Sequence, residues 1–230
     1  MKKIIILHGW TYSLEKWRIF LELLKKRGIE PTMLNVPGLT SKNDKVWTIE
    51  SYIGWLKEIV DKEKDKVALI GHSNGGRIAI NFAIKYPGKI EKLILIDSAG
   101  IYHNELPLAL KRAIFKTLAK LGKSLSGSSI LKNAFYKLAG ENDYKDANPN
   151  MKQTMLNLIN SDKSLKPGNV QIPTLIFWGK EDKITPLSDG KLMHRLIKNS
   201  KLEIIENAHH APQFTNPKEV INIIVSNLTI

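Results

Sequence analysis

The chain reads as an α/β protein: a doubly wound, mostly parallel sheet interrupted once by an inserted helical segment. Two observations predict this. Short runs of branched apolar residues recur along the chain, each followed by a stretch with helical spacing. Such alternation is the signature of strands joined by crossover helices. Between Ile101 and Pro167 no strand-like run occurs, and helical patterns punctuated by Gly122, Gly127 and Gly140 fill the gap.

In chain order, Lys3 to Leu7 forms a short apolar strand that runs into His8-Gly9-Trp10. A helix fits from about Leu14 to Lys26, with Trp17, Phe20, Leu21 and Leu24 on one stripe, and Gly28 ends it. A second strand spans Pro31 to Val36 and stops at Pro37-Gly38; an amphipathic helix follows from about Thr48 to Lys62. The next strand, Val67 to Ile70, leads through Gly71-His72-Ser73-Asn74-Gly75 into a helix that ends before Tyr86-Pro87-Gly88. Lys92 to Ile96 is a buried strand ending at Asp97. Helices are expected at about 107–121, 129–138 and 150–160. Alternation resumes with a strand at Thr174–Trp178, a helix at about Leu187–Ile197, a strand at Leu202–Ile205, the loop Glu206 to Pro212 and a closing helix from Pro217. The domain reading is a core of residues 1–100 and 168–230 with a helical cap at 101–167.

The stretch around Ser73 carries the chemistry. A strand-to-helix turn of so few residues forces its central residue into a sparsely populated backbone region and leaves no room for side chains two positions either side. Gly71 and Gly75 meet that requirement. The Ser73 hydroxyl then stands at the carboxyl edge of the sheet, where ligands of such sheets bind. Polar residues at two other strand ends, Asp182 and His210, complete the order Ser, acid, His. Serine is a weak nucleophile without a base; an imidazole serves near neutral pH, and a carboxylate fixes its tautomer and stabilises its charged form.

These motifs resemble the α/β-hydrolase superfamily across nearly the full length of the chain. His8-Gly9-Trp10 is similar to its oxyanion loop, Gly71 to Gly76 to its nucleophile elbow, Trp178 to Asp182 to its acid turn, and His209-His210-Ala211-Pro212 to its histidine loop. The resemblance implies Ser73 as nucleophile, His210 as general acid/base, Asp182 as its orienting carboxylate, and the backbone N–H groups of Trp10 and Asn74 as the oxyanion hole. His209 competes with His210, and Glu181 with Asp182; Asp97 is expected to be a loop carboxylate and His8 a hydrogen-bonded support of the oxyanion loop. Many relatives begin with a β-hairpin, whereas this chain starts at the His-Gly strand, so a shortened sheet of about six strands is expected. Asn74 stands where methionine or leucine is common.

The implied activity is hydrolysis of small or medium-chain carboxylic esters through an acyl-serine, without metal or cofactor. Two alternatives stay open: carbon–carbon bond hydrolysis on the same fold, and non-catalytic ligand binding. The absence of cysteine excludes disulfides and thiolate metal sites. The net charge of +13 comes from 35 basic and 22 acidic residues, dispersed and interleaved, so a solvated surface is expected and no nucleic-acid partner. One basic cluster, around Lys111, Arg112, Lys116, Lys120, Lys123, Lys132 and Lys137, is expected on the outer cap face. No apolar run reaches the roughly eighteen residues of a membrane span, so a cytoplasmic location is expected; a homodimer is compatible with the sequence.

Overall fold

The structure is a computed structural model that describes residues 3–11, 13–40, 45–103 and 148–228. Among the described residues six strands alternate with helices: β1 (Lys3–Leu7), α1 (Arg18–Lys26), β2 (Glu30–Leu34), α2 (Ile49–Val60), β3 (Val67–His72), α3 (Asn74–Lys85) and β4 (Ile90–Ile96) form the first part. Then come α4 (Pro149–Ser161), β5 (Thr174–Gly179), α5 (Leu187–Leu196), β6 (Ser200–Ile205), α6 (Pro212–Thr215) and α7 (Pro217–Asn227). The strands form one parallel sheet in the order β2-β1-β3-β4-β5-β6. The six described strands match the sheet of about six strands expected from the sequence.

Side chains of a strand alternate between faces, and the apolar runs supply both. Ile5 and Leu7, Leu69, Leu93 and Leu95, Ile176 and Trp178 join the core covered by α2, α3 and α5. Their neighbours Ile4 and Ile6, Ala68 and Ile70, Ile94 and Ile96, Leu175 and Phe177 point the other way, onto α1 and α7. The outer strands β2 and β6 are only partly covered and carry Pro31, Lys201 and Glu203, which discourage further strand pairing.

α2 starts on a capping box in which Thr48 and Ser51 bond reciprocally. α4 starts with the Asn148 side chain accepting from the Met151 N–H and with Pro149 in its first turn. α4 is tied to the loop before α2: the Trp47 N–H donates to Thr154 Oγ1 at 3.0 Å, and Asn157 Nδ2 donates to the Trp47 carbonyl at 2.9 Å. Leu158 enters the same core as α2 and α3. The helices expected at about 107–121 and 129–138, and the basic cluster on them, lie outside the described residues.

The chain leaves β1 to one side for β2 and then crosses back to β3, so the winding reverses between β1 and β3. Ligands of open parallel sheets bind beyond the strand ends at such a point. The segments there are His8-Gly9-Trp10 and Ser73.

Candidate active site

Ser73 joins β3 to α3 with φ 53° and ψ −119°, a conformation that costs a non-glycine residue of order 1–3 kcal/mol. The surroundings hold it there. Its N–H donates to the Ile96 carbonyl, and its own carbonyl accepts from the N–H groups of Gly76, Arg77 and Ala99 at 3.0–3.3 Å. A Cβ on Gly71 would lie 2.5 Å from Gly76 Cα, and one on Gly75 would lie 2.2 Å from the Leu7 carbonyl oxygen. The turn therefore closes only with glycine at both positions. Among the described residues the Ser73 hydroxyl makes no hydrogen bond, and the Asn74 N–H, at the open first turn of α3, has no protein acceptor.

The loop after β5 presents Asp182, which is buried and fully engaged. Oδ1 accepts from the N–H groups of Ile184 and Thr185 at 2.7 and 3.1 Å; Oδ2 accepts from the Thr185 hydroxyl at 2.7 Å and faces His210 Nδ1 at 2.7 Å. Burial pushes the Asp182 carboxyl upward, but the bonds from His210, Thr185 and Ile184 outweigh it, leaving it below the usual carboxylate range. His210 lies against the elbow, because His72, next to Ser73, donates from Nε2 to the His210 carbonyl at 2.8 Å and the two rings stand 5.1 Å apart. Burial, then the neighbouring His210, push the His72 imidazole down to about 3, so it is a neutral packing and hydrogen-bonding group.

The rivals His209 and Glu181 are placed elsewhere. His209 is exposed and pairs loosely with exposed Glu181, Nε2 to Oε2 3.5 Å. Asp97 is fully buried with φ 42°, and Oδ1 accepts the Gly179 N–H at 2.8 Å. Burial, followed by the negative charge of Asp182, raises its carboxyl well above the ordinary range. Ligating atoms of His72, Asp97 and His210 lie within 4.8 Å of one another, a set of types that bind metals. Here His210 Nδ1 is engaged by Asp182 and His72 Nε2 by a carbonyl, so these groups serve as a hydrogen-bond network.

The loop after β1 runs beside the serine: a Cβ on Gly9 would lie 3.3 Å from Ser73 Oγ and 2.8 Å from its Cβ. This brings Trp10 next to the elbow. His8 shapes the loop, with Nε2 accepting the Val36 N–H at 2.9 Å and Nδ1 donating to the Gly9 carbonyl. An acceptor at Nε2 requires neutral imidazole, and burial lowers the His8 pKa accordingly. Two contributions were not legible as motifs. Thr185, three residues beyond Asp182, also approaches His210 Nδ1 at 3.3 Å. Arg77, on α3, makes a buried fork to Asp162 at the end of α4.

The family model described as "Serine aminopeptidase, S33" (Hydrolase_4) matches residues 1–215. Among curated proteins the chain is 25% identical over 252 residues to the monoacylglycerol lipase ABHD6 of Mus musculus, covering 98% of this chain and 75% of that protein. It is also 25% identical over 244 residues to the 2-hydroxy-6-oxo-2,4-heptadienoate hydrolase of Pseudomonas putida, covering 96% and 87%. Among solved structures, a thermophilic esterase from Thermogutta terrifontis superposes with a TM-score of 0.71 at 21% identity over 98% of this chain and 89% of that one.

Proposed function

The chain belongs to the α/β-hydrolase superfamily, and within it we propose that it cleaves carboxylic esters of small or medium acyl chains through an acyl-serine on Ser73. The observation that carries the reading is the His210 Nδ1 to Asp182 Oδ2 pair at 2.7 Å, held by His72 against the strained elbow. Relatives with lipase and esterase names support the same direction.

In the reaction, Ser73 Oγ attacks the ester carbonyl as His210 Nε2 takes its proton. Asp182 keeps the Nδ1–H tautomer and stabilises the imidazolium that forms. The carbonyl oxygen gains negative charge between the N–H groups of Asn74 and Trp10, where preorganised donors lower the barrier most. Collapse of this intermediate breaks the ester C–O bond, and His210 returns the proton to the leaving alcohol. Water then attacks the acyl-serine with His210 as base, releasing the acid and restoring Ser73. Apo hydrogen bonds in such sites are often long and tighten on binding, which accommodates a serine hydroxyl not bonded in this structure.

Carbon–carbon hydrolysis is the second reading, favoured by the similarity to the Pseudomonas putida hydrolase. Mass spectrometry of protein quenched during turnover of p-nitrophenyl butyrate tests the first. A butyryl group on the peptide containing Ser73 is expected; turnover with acylation elsewhere contradicts it.

A further inference from the structure

Asn74 brings a polar side chain to the first position after the nucleophile, and the structure gives it a dedicated partner. Arg77, one turn along α3, is almost fully buried. Its Nε and Nη2 fork onto the two oxygens of Asp162 at 2.6 and 2.8 Å, and Asp162 is itself buried. The remaining nitrogen, Nη1, donates to Asn74 Oδ1, while Asn74 Nδ2 turns toward Met155 Sδ at 3.7 Å. Both Asp162 and Met155 come from α4 or its C-cap, the first described helix after residues 104–147. The planar fork of a guanidinium fixes the third arm once two arms are bound.

A buried ion pair is a weak source of net stability, because two charges must be desolvated to form it. Its value here lies in what it orients. We propose that Arg77 is a positioning residue for the oxyanion hole: pinned by Asp162, it holds the Asn74 carboxamide, and with it the backbone N–H that receives the developing oxyanion. This rests on the esterase reading for its kinetic consequence. It also ties the register of α4 to the reacting centre, since a shift of Asp162 is a shift of Arg77.

The test uses the full chain and p-nitrophenyl acetate. Removing one partner would leave a buried unpaired charge, so the principal variant is Arg77→Met/Asp162→Leu, which removes both. A loss in kcat of about tenfold is expected, with KM within about twofold, as for a misplaced rather than a deleted oxyanion donor. In an Asn74→Ala background the same double replacement should add less than about twofold, because its target is gone. Arg77→Lys keeps the ion pair but not the fork and should fall between; it carries the same cycle if the double variant does not fold. A folded variant with wild-type kcat, or losses that multiply in the cycle, overturns the proposal. If the wild type hydrolyses no ester, the esterase reading fails separately, and NMR of the Asn74 side-chain amide decides. Side-chain protons that exchange slowly with solvent in the wild type and rapidly in either Arg77 variant support the anchoring; unchanged exchange overturns it.

Discussion

His210 and Asp182 meet through Nδ1 and Oδ2 at 2.7 Å, although 28 residues and a strand separate them in the chain. The loops that carry them leave adjacent strands, β5 and β6, and the Glu181 N–H bonds the Ala208 carbonyl between them at 2.9 Å. The pair is thus fixed by the sheet rather than by a flexible loop, and its consequences are measurable.

Asp182→Asn keeps the shape of the acid turn but reverses the preference for the Nδ1–H tautomer and removes the charge that steadies imidazolium. A fall in kcat of about 10³–10⁴-fold is expected, with circular dichroism unchanged. A loss below tenfold would contradict the orienting role.

The two neighbouring histidines should separate cleanly. His209→Ala removes an exposed side chain whose partner is equally exposed Glu181, and turnover should stay within about twofold. His210→Ala should abolish ester hydrolysis to at least about a thousandth. Parallel rate measurements on p-nitrophenyl esters check both.

Gly75→Ala should cripple the fold as well as the site. The added methyl meets the Leu7 backbone oxygen at 2.2 Å, which no side-chain rotation relieves. A loss of several kcal/mol by urea denaturation is expected, as for overpacking against backbone. Gly88→Ala, where nothing lies within 4 Å, serves as the control and should shift stability by less than about 0.5 kcal/mol.

The acid limb of stability carries the signature of His72. Its folded pKa is depressed to about 3 from an ordinary 6.5, so between these values the unfolded chain binds a proton that the folded chain does not. Stability from this group is therefore complete above pH 6.5 and is lost as pH falls toward 3, at about 1.4 kcal/mol per pH unit. Asp97, raised by burial, has the opposite sign, its contribution being lost as pH rises above the unfolded carboxylate value near 3.9. The difference between wild type and His72→Phe isolates the first effect. Urea titrations from pH 4 to 7 should show wild type losing stability faster on acidification; parallel curves would contradict the burial of neutral His72.

The sheet was legible because its central strands are apolar runs covered on both faces, and the elbow because Gly71 and Gly75 flank a serine between a strand and a helix. Strand boundaries moved by at most two residues, β2 ending at Leu34 rather than Val36 and β4 starting at Ile90 rather than Lys92. The sequence carries no sign of α6, since four residues cannot display a helical period. The Arg77–Asp162 pair left no trace in the sequence: 85 positions separate its members, and only the packing of α4 against α2 brings them together. His72 likewise gave no motif for its bond to the His210 carbonyl, which depends on the approach of the loop after β6 to the elbow.

Hydrolysis of p-nitrophenyl butyrate by wild type and by Ser73→Ala tests the central claim most directly. Steady turnover by the wild type, reduced at least about a thousandfold in a folded Ser73→Ala protein, is the expected result. A folded wild type inert toward esters of every acyl length, or a Ser73→Ala protein that keeps the activity, would contradict the assignment of Ser73 as the nucleophile of an ester hydrolase.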